Sequence, residues 1–374
     1  MKIAILSSGL LPIPASNGGA IETLIDDFIL TNEKYHKYNI DVYSIPTKKS
    51  EKKYVEYIYI NNRLHEFCIK VINKLFHKNI PINYFFQKKI IKKVNSRNYD
   101  FIILENYPEL VLKLNSDKII EYVHSDVLNK STKKAKEIIE KCYKIITVSD
   151  YIKDRVIESF DNDKTFTVYN CIDFNEFDED EYKKNRRDIR KKYDIDENDI
   201  VFVYSGRLSP EKGVLEAVKA FSKTNLSNAK LLIIGGIWYG CNKVNDYFKQ
   251  LKEFSNSNVI FTGYVLHNEI EKYLCASDIG LVPSICNEAA GLSVVEFMAR
   301  KNLVIASNRG GIKEYMNSQN ILIDFDSTDE LIDKMRKEMK NISVSLKERN
   351  DNLEFSKKFS KEANYLMIAS ILGE

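Results

Sequence analysis

Nine short runs in this chain are apolar throughout rather than at every second position: "KIAILSS", "DFIILE", "KIIEYVH" and "KIITVS", then "IVFVYSG", "KLLIIGG", "NVIFTGY", "DIGLVPS" and "NLVIAS". A strand with one wet face alternates, whereas a strand covered on both faces by helices need not. Amphipathic segments separate the runs, the pattern of a parallel sheet with crossover helices on both sides. Because the pattern occurs twice, the expected fold class is α/β, with two Rossmann-like doubly wound domains. A chain of 374 residues also suits two domains at roughly 100 to 200 residues each.

The stretch "DEDEYKKNRRDIRKKYDIDEND", from Asp178 to Asp199, is dense in charge and reads as a solvated linker and helix between the halves. The expected domains are therefore 1–180 and 181–374. The helical segment at about 356–372 is a candidate to pack back on the first domain. The first run breaks at Ser7, Ser8 and Gly9, too soon for a signal peptide, and no stretch reaches the ~18 apolar residues that span a bilayer. The six cysteines form no Cys-x-x-Cys pair, which suits reduced thiols in a cytoplasmic protein. With 56 Lys and Arg against 53 Asp and Glu, the net charge of +3 argues against a nucleic-acid partner.

In open parallel sheets ligands bind beyond the carboxyl ends of the strands, so the loops there carry the functional reading. After "DIGLVPS" comes "ICNEAAG", and then "LSVVEFMAR" with helical spacing. The free N–H groups of that helix start suit an anion, and Gly291 is expected to let a ligand approach the backbone. Glu288 on the loop and Glu296 one turn into the helix suit hydroxyls of a sugar or ribose, and a bland alternative pairs Glu296 with Arg300 at i+4. After "IVFVYSG", "RLSPEKG" sets Arg207 and Lys212 at a strand end, where they can neutralise a diphosphate; the alternative is solvated surface charge. In the first half, Gly18 and Gly19 precede an amphipathic helix without forming a Gly-x-Gly-x-x-Gly or Walker motif. His124 ends a strand where a ring could face a crevice, against a default of ordinary packing.

Together these stretches resemble the family 4 retaining glycosyltransferases of the GT-B fold. The likeness covers most of the chain and is strongest from "YSGRLSPEKGVLEAVKAF" through "NEAAGLSVVEFMA" to "IASNRGGIKEYM". It implies a nucleotide-sugar donor, UDP-linked by family frequency, on the second domain, a glycan or lipid-linked acceptor on the first, and chemistry in the cleft. Residues matching Arg207 and Lys212 would hold the diphosphate, with Gly18 and Gly19 near it. The one matching Glu296 would hold the ribose. Glu288, with the backbone of Ala289, Ala290, Gly291 and Leu292, would lie against the sugar, and His124 near the reacting carbon. Ala289 and Ala290 stand where many members have Gly and an aromatic, a variant resembling some lipopolysaccharide-core glucosyltransferases; His124-Ser125-Asp126 replaces the commoner His-Asp pair.

The expected activity is metal-independent hexosyl transfer with retention, in bacterial capsule, exopolysaccharide or lipopolysaccharide synthesis, with no cofactor beyond the nucleotide-sugar substrate. Four Asp-x-Asp strings, at 161–163, 178–180, 194–196 and 324–326, read as charge-rich segments or helix capping rather than metal ligands. A different class of function, a non-catalytic GT-B subunit supporting a partner transferase, should have lost Arg207, Lys212, Glu288 and Glu296, all present here. Residues 61–97 carry nine Lys or Arg against Glu66 alone. Phe67, Val71 and Leu75 share one helical face and Lys70, Lys74 and Lys78 another, as on an anionic membrane surface; the alternative is a solvated basic helix packed by its apolar side. Peripheral placement on the inner face of the plasma membrane would follow from the first.

Overall fold

The computed structural model describes residues 1–15, 19–47, 55–60, 63–77, 80–81, 83–173, 176–237, 245–324, 328–342 and 345–373. The chain divides into two compact units, Met1–Cys171 with Lys361–Glu374, and Ile172–Ser360.

The first unit carries β1 (Lys2–Leu6), β2 (Asn39–Ser44), β3 (Val55–Tyr59), β4 (Phe101–Glu105), β5 (Ile119–Val123), β6 (Lys144–Thr147) and β7 (Thr165–Thr167). They lie in the order β3-β2-β1-β4-β5-β6-β7, every neighbouring pair parallel. The chain winds outward from β1 to β3, returns to β4 beside β1, and winds the other way. The carboxyl ends of β1 and β4 therefore flank the switch point at which such sheets take ligands. Every residue of β4 and β5 is buried, as a strand under helices on both faces requires.

The second unit repeats this plan with β8 (Ile200–Ser205), β9 (Ala229–Ile234), β10 (Val259–Gly263), β11 (Ile279–Val282), β12 (Leu303–Ser307) and β13 (Ile321–Ile323), in the order β10-β9-β8-β11-β12-β13. Here β8 and β11 flank the switch point. The helix Val214–Thr224 buries Val214, Ala217, Val218 and Phe221, spaced to give one apolar stripe against Phe202, Leu231 and Leu281.

All nine apolar runs are strands. The other four, β2, β3, β7 and β13, lie toward the sheet margins, where the apolar signal thins. Strands β7 and β13 have three residues each. Strand β2 contains Asp41, 1% exposed and held by Lys2 (3.2 Å) and Arg97 (2.9 Å).

One expectation is corrected and another refined. The division falls at Cys171 and Ile172 rather than at 180, and the helix expected within Asp178–Asp199 is present and solvated on one side but packs its other side inward. Asp178 caps the helix Glu179–Lys192 by accepting from the Glu181 N–H (2.7 Å), and that helix buries Tyr182, Ile189 and Arg190. Arg190 and Arg186 both grip Asp278 (2.9 and 2.8 Å), just before β11, and Arg190 also donates to the carbonyls of Asp196, Glu197, Asp199 and Ala276. Arg190 and the half-buried Arg186 turn inward to Asp278, while most of the segment's other charges stay on the surface.

The helix expected at about 356–372 is the second of two, Leu346–Ser356 and Lys361–Ile371, parted by a turn at Lys357–Phe359. The second belongs to the first unit and packs on the helix Ala20–Tyr35. Tyr365, fully buried, stacks on Tyr35 (5.1 Å between ring centres) and donates to Asn32 Oδ1 (2.9 Å). No helix among the described residues is long and apolar enough to cross a membrane.

Candidate active site

In the second unit two loops meet at the switch point. The loop after β8 ends in a short turn, Pro210–Lys212, followed by Gly213 at φ +66°. A Cβ on Gly213 would fall 1.8 Å from the Pro283 carbonyl oxygen in the loop after β11, so only glycine lets the loops touch. The Glu211 carbonyl then accepts from the N–H groups of Ile285 (3.0 Å) and Cys286 (3.2 Å), fastening one loop to the other. Tyr204, buried on β8, donates its hydroxyl to the Arg207 carbonyl (2.7 Å) and fixes the loop's start.

This stitching sets the charges. Lys212 Nζ lies 2.7 and 2.6 Å from the two carboxylate oxygens of Glu288, whose Oε1 also accepts from Ser284 Oγ. Arg207 Nη2 donates to Glu211 Oε1 (2.6 Å). Glu211's own backbone N–H, then the charges of Arg207 and Lys212, hold its carboxyl below the usual range. The Glu288 backbone is fixed from a third loop: its carbonyl accepts from the Gly311 N–H (2.8 Å), and a Cβ on Gly310, at φ +59°, would lie 2.2 Å from that oxygen.

Ala289 and Ala290 are half-buried, and Gly291 precedes the helix Leu292–Met298. A Cβ on Gly291 would meet Tyr315 Cβ at 3.0 Å and the Ile312 carbonyl oxygen at 3.2 Å, so packing favours glycine there. The Gly291 carbonyl accepts from the Val294 N–H (3.0 Å), as in a first helical turn. Glu296 is half-buried with no hydrogen-bond or ion-pair partner among the described residues. Burial raises its pKa, with His267 pulling the other way. The i+4 pairing is absent, since Arg300 turns to Glu271 (3.0 Å from Nε).

In the first unit, Gly18 lies outside the described residues. Gly19 sits at φ +113°, where a Cβ would fall 2.2 Å from Glu22 Oε2, so that carboxylate folds back over the start of the helix Ala20–Tyr35. His124 Nε2 lies 2.7 Å from Glu105 Oε2, at side-chain exposures of 4% and 5%. The ring stacks on Tyr122 (4.2 Å) beside a cavity walled by Ile5, Leu24, Ile103 and Ile368, and Nδ1 is buried without a partner among the described residues. The ring lies among interior side chains of the unit, with Nε2 engaged by Glu105. Asn106, in the left-handed region at φ +61°, pins the turn by accepting from the N–H groups of His124 (3.0 Å) and Ser125 (3.1 Å). Burial raises the pKa of Glu22, with Glu105 adding to the rise and His124 opposing it.

The sequence reading passed over Glu105, Asn106, Glu22, Ser284 and Glu211. Glu105 was legible in principle, as a carboxylate closing an apolar run at a switch point. Glu211 fastens the two loops through its backbone carbonyl, a role that no residue type announces.

Two parallel α/β units, each wound about its own switch point, define the GT-B class of glycosyltransferase architecture. Residues 185–359 match the family described as Glycosyl transferases group 1. It is similar to spore coat protein SA of Bacillus subtilis (strain 168), 25% identical with 98% of this chain and 96% of that protein aligned. It is also similar to the lipopolysaccharide 1,2-N-acetylglucosaminetransferase of Salmonella typhimurium, 28% identical over 70% of this chain and 71% of that one. Among solved structures, Anabaena Alr3699/HepE in complex with UDP and glucose matches with a TM-score of 0.73 at 18% identity, covering 100% of both chains.

Proposed function

We propose that the protein transfers a hexose, with retention, from a UDP-sugar held by the second unit to a glycan or lipid-linked acceptor of a bacterial surface polysaccharide held by the first, without a divalent metal. The observation that carries this is the convergence of Lys212, Glu288 and Arg207 on the switch point between β8 and β11, where a basic pair and a carboxylate suit a sugar diphosphate. The UDP and glucose in the Anabaena structure support the donor class.

In this reading Arg207 and Lys212 take the diphosphate oxygens and stabilise the charge that grows as the bond from the sugar carbon to phosphate oxygen breaks. Glu288, with the backbone from Ala289 to Leu292, accepts the sugar hydroxyls, and the unpartnered Glu296 accepts the ribose. The acceptor hydroxyl attacks from the face the diphosphate leaves, and its proton passes to the departing phosphate oxygen, so no protein nucleophile is needed.

Isothermal titration of UDP, GDP and ADP into wild type and the Arg207→Ala and Glu296→Ala variants tests the donor site. Tight binding of one nucleotide, weakened by both changes, is expected; binding of none would favour a non-catalytic partner subunit. Activity lost to a chelator and restored by Mg²⁺ or Mn²⁺ would refute metal independence.

The helix Arg63–Phe76 extends the reading to a membrane surface. It packs inward through Ile69, leaving Phe67, Val71, Leu75 and Phe76 exposed beside Lys70 and Lys74; Lys78 lies outside the described residues. Apolar side chains exposed next to basic ones suit an anionic leaflet. Failure to sediment with anionic liposomes at low salt would remove this part of the proposal.

A further inference from the structure

Both oxygens of Glu288 face one ammonium, at 2.7 and 2.6 Å. An ammonium has three donors, so this pairing engages two of those a phosphate would use. The pair is not a loose surface contact: Lys212 is 30% exposed and Glu288 17%. Nor is the carboxylate free to swing aside, because Ser284 Oγ holds it and Gly310 and Gly311 hold its backbone. Lys212, on a flexible four-carbon stem, is the partner that must yield. Arg207 is also paired, with Glu211, but at exposures of 42% and 41% that pair is open to solvent and gives way at little cost.

We propose that Glu288 acts as a built-in competitor for the phosphate position on Lys212, and that this makes the site favour the intact sugar donor over the spent nucleotide. The inference rests on the donor-site reading above. A nucleoside diphosphate without a sugar draws Lys212 away and leaves the Glu288 carboxylate uncompensated beside incoming negative charge. A nucleotide-sugar brings hydroxyl groups that donate to the same carboxylate and replace the lost ammonium. The difference weakens the hold on the product and speeds its release. Glu288 is thereby a specificity-determining residue as well as a sugar contact.

Titration of UDP, GDP, ADP and inorganic pyrophosphate into wild type, Glu288→Gln, Ser284→Ala and Lys212→Ala tests this, with thermal melts to establish folding. For the nucleotide that wild type binds, Glu288→Gln is expected to bind about tenfold tighter, the equivalent of about 1.4 kcal/mol, and pyrophosphate to follow it. Ser284→Ala, which only loosens the carboxylate, is expected to tighten binding about two- to threefold and serves if the first variant does not fold. Lys212→Ala should weaken binding. Unchanged or weaker nucleotide binding in Glu288→Gln, or in Ser284→Ala if that variant stands in, overturns the competitor role while the donor site stands, provided Lys212→Ala still weakens binding. No binding of any nucleotide or of pyrophosphate to wild type or variants overturns both.

Discussion

Each unit holds a close side-chain pair near the carboxyl ends of its strands, Glu105 with His124 at the ends of β4 and β5 and Lys212 with Glu288 after β8 and β11, and burial separates the two. In the first unit Glu105 and His124 are sealed at 5% and 4% exposure. In the second, Lys212 and Glu288 meet at 30% and 17%. A sealed pair gives up its partner to a ligand only at high cost, and removing one member leaves the other stranded in a poor solvent, which destabilises the fold. A pair that solvent reaches can trade its partner for a substrate at modest cost. The fold offers two switch points, and among the described residues the Lys212–Glu288 pair at the second is more exposed than the Glu105–His124 pair of the first unit.

The sharpest way to break this comparison is Lys212→Ala. Transfer measured as kcat/KM is expected to fall about a thousandfold, or about 4 kcal/mol, with the melting temperature nearly unchanged. A large loss of stability instead would make Lys212 structural. The converse change, Glu105→Leu, is expected to cost about 3 kcal/mol in urea unfolding while leaving nucleotide binding by the second unit within about twofold. Stability unchanged in that variant would mean the sealed pair is not sealed.

Glu121 on β5 gives a pH test of the same burial. It is fully buried, accepts from the Tyr107 N–H (2.7 Å), and burial raises its pKa well above the ordinary 4.5. Above the unfolded value the folded chain keeps a proton that the unfolded chain has released. Stability therefore falls as pH rises from there toward the raised folded value, by up to about 1.4 kcal/mol per pH unit. Melting curves from pH 5 to 8 should show this slope in wild type and lose it in Glu121→Gln. The smallest effect belongs to Glu211→Gln: its ion pair is exposed, and a change within about 0.5 kcal/mol is expected by the same melts.

The sequence showed the sheets far better than the site. Continuous apolar runs mark strands because helices cover both faces, so the central strands were legible and marginal ones such as β7 and β13 were not. Charge was harder to read, since a segment whose charges are mostly on the surface also sends Arg186 and Arg190 inward to Asp278. Within the site, Arg207 and Lys212 read as one pair and Glu288 and Glu296 as another. The structure pairs them differently, Lys212 with Glu288 and Arg207 with Glu211. Lys212 and Glu288 are brought together by glycines at 213 and 310 that act by lacking a side chain, and a lone sequence gives no sign of which absence matters.

The helix Lys361–Ile371 carries a consequence for synthesis. The first unit opens the chain, yet it is finished by a helix made after the whole of the second unit. A nascent chain paused anywhere before Tyr365 would present Phe28, Tyr35 and Asn32 without their cover. Of the two units, the second is thus the one able to mature on the ribosome ahead of the first, and the first is where chaperones would find bare apolar surface.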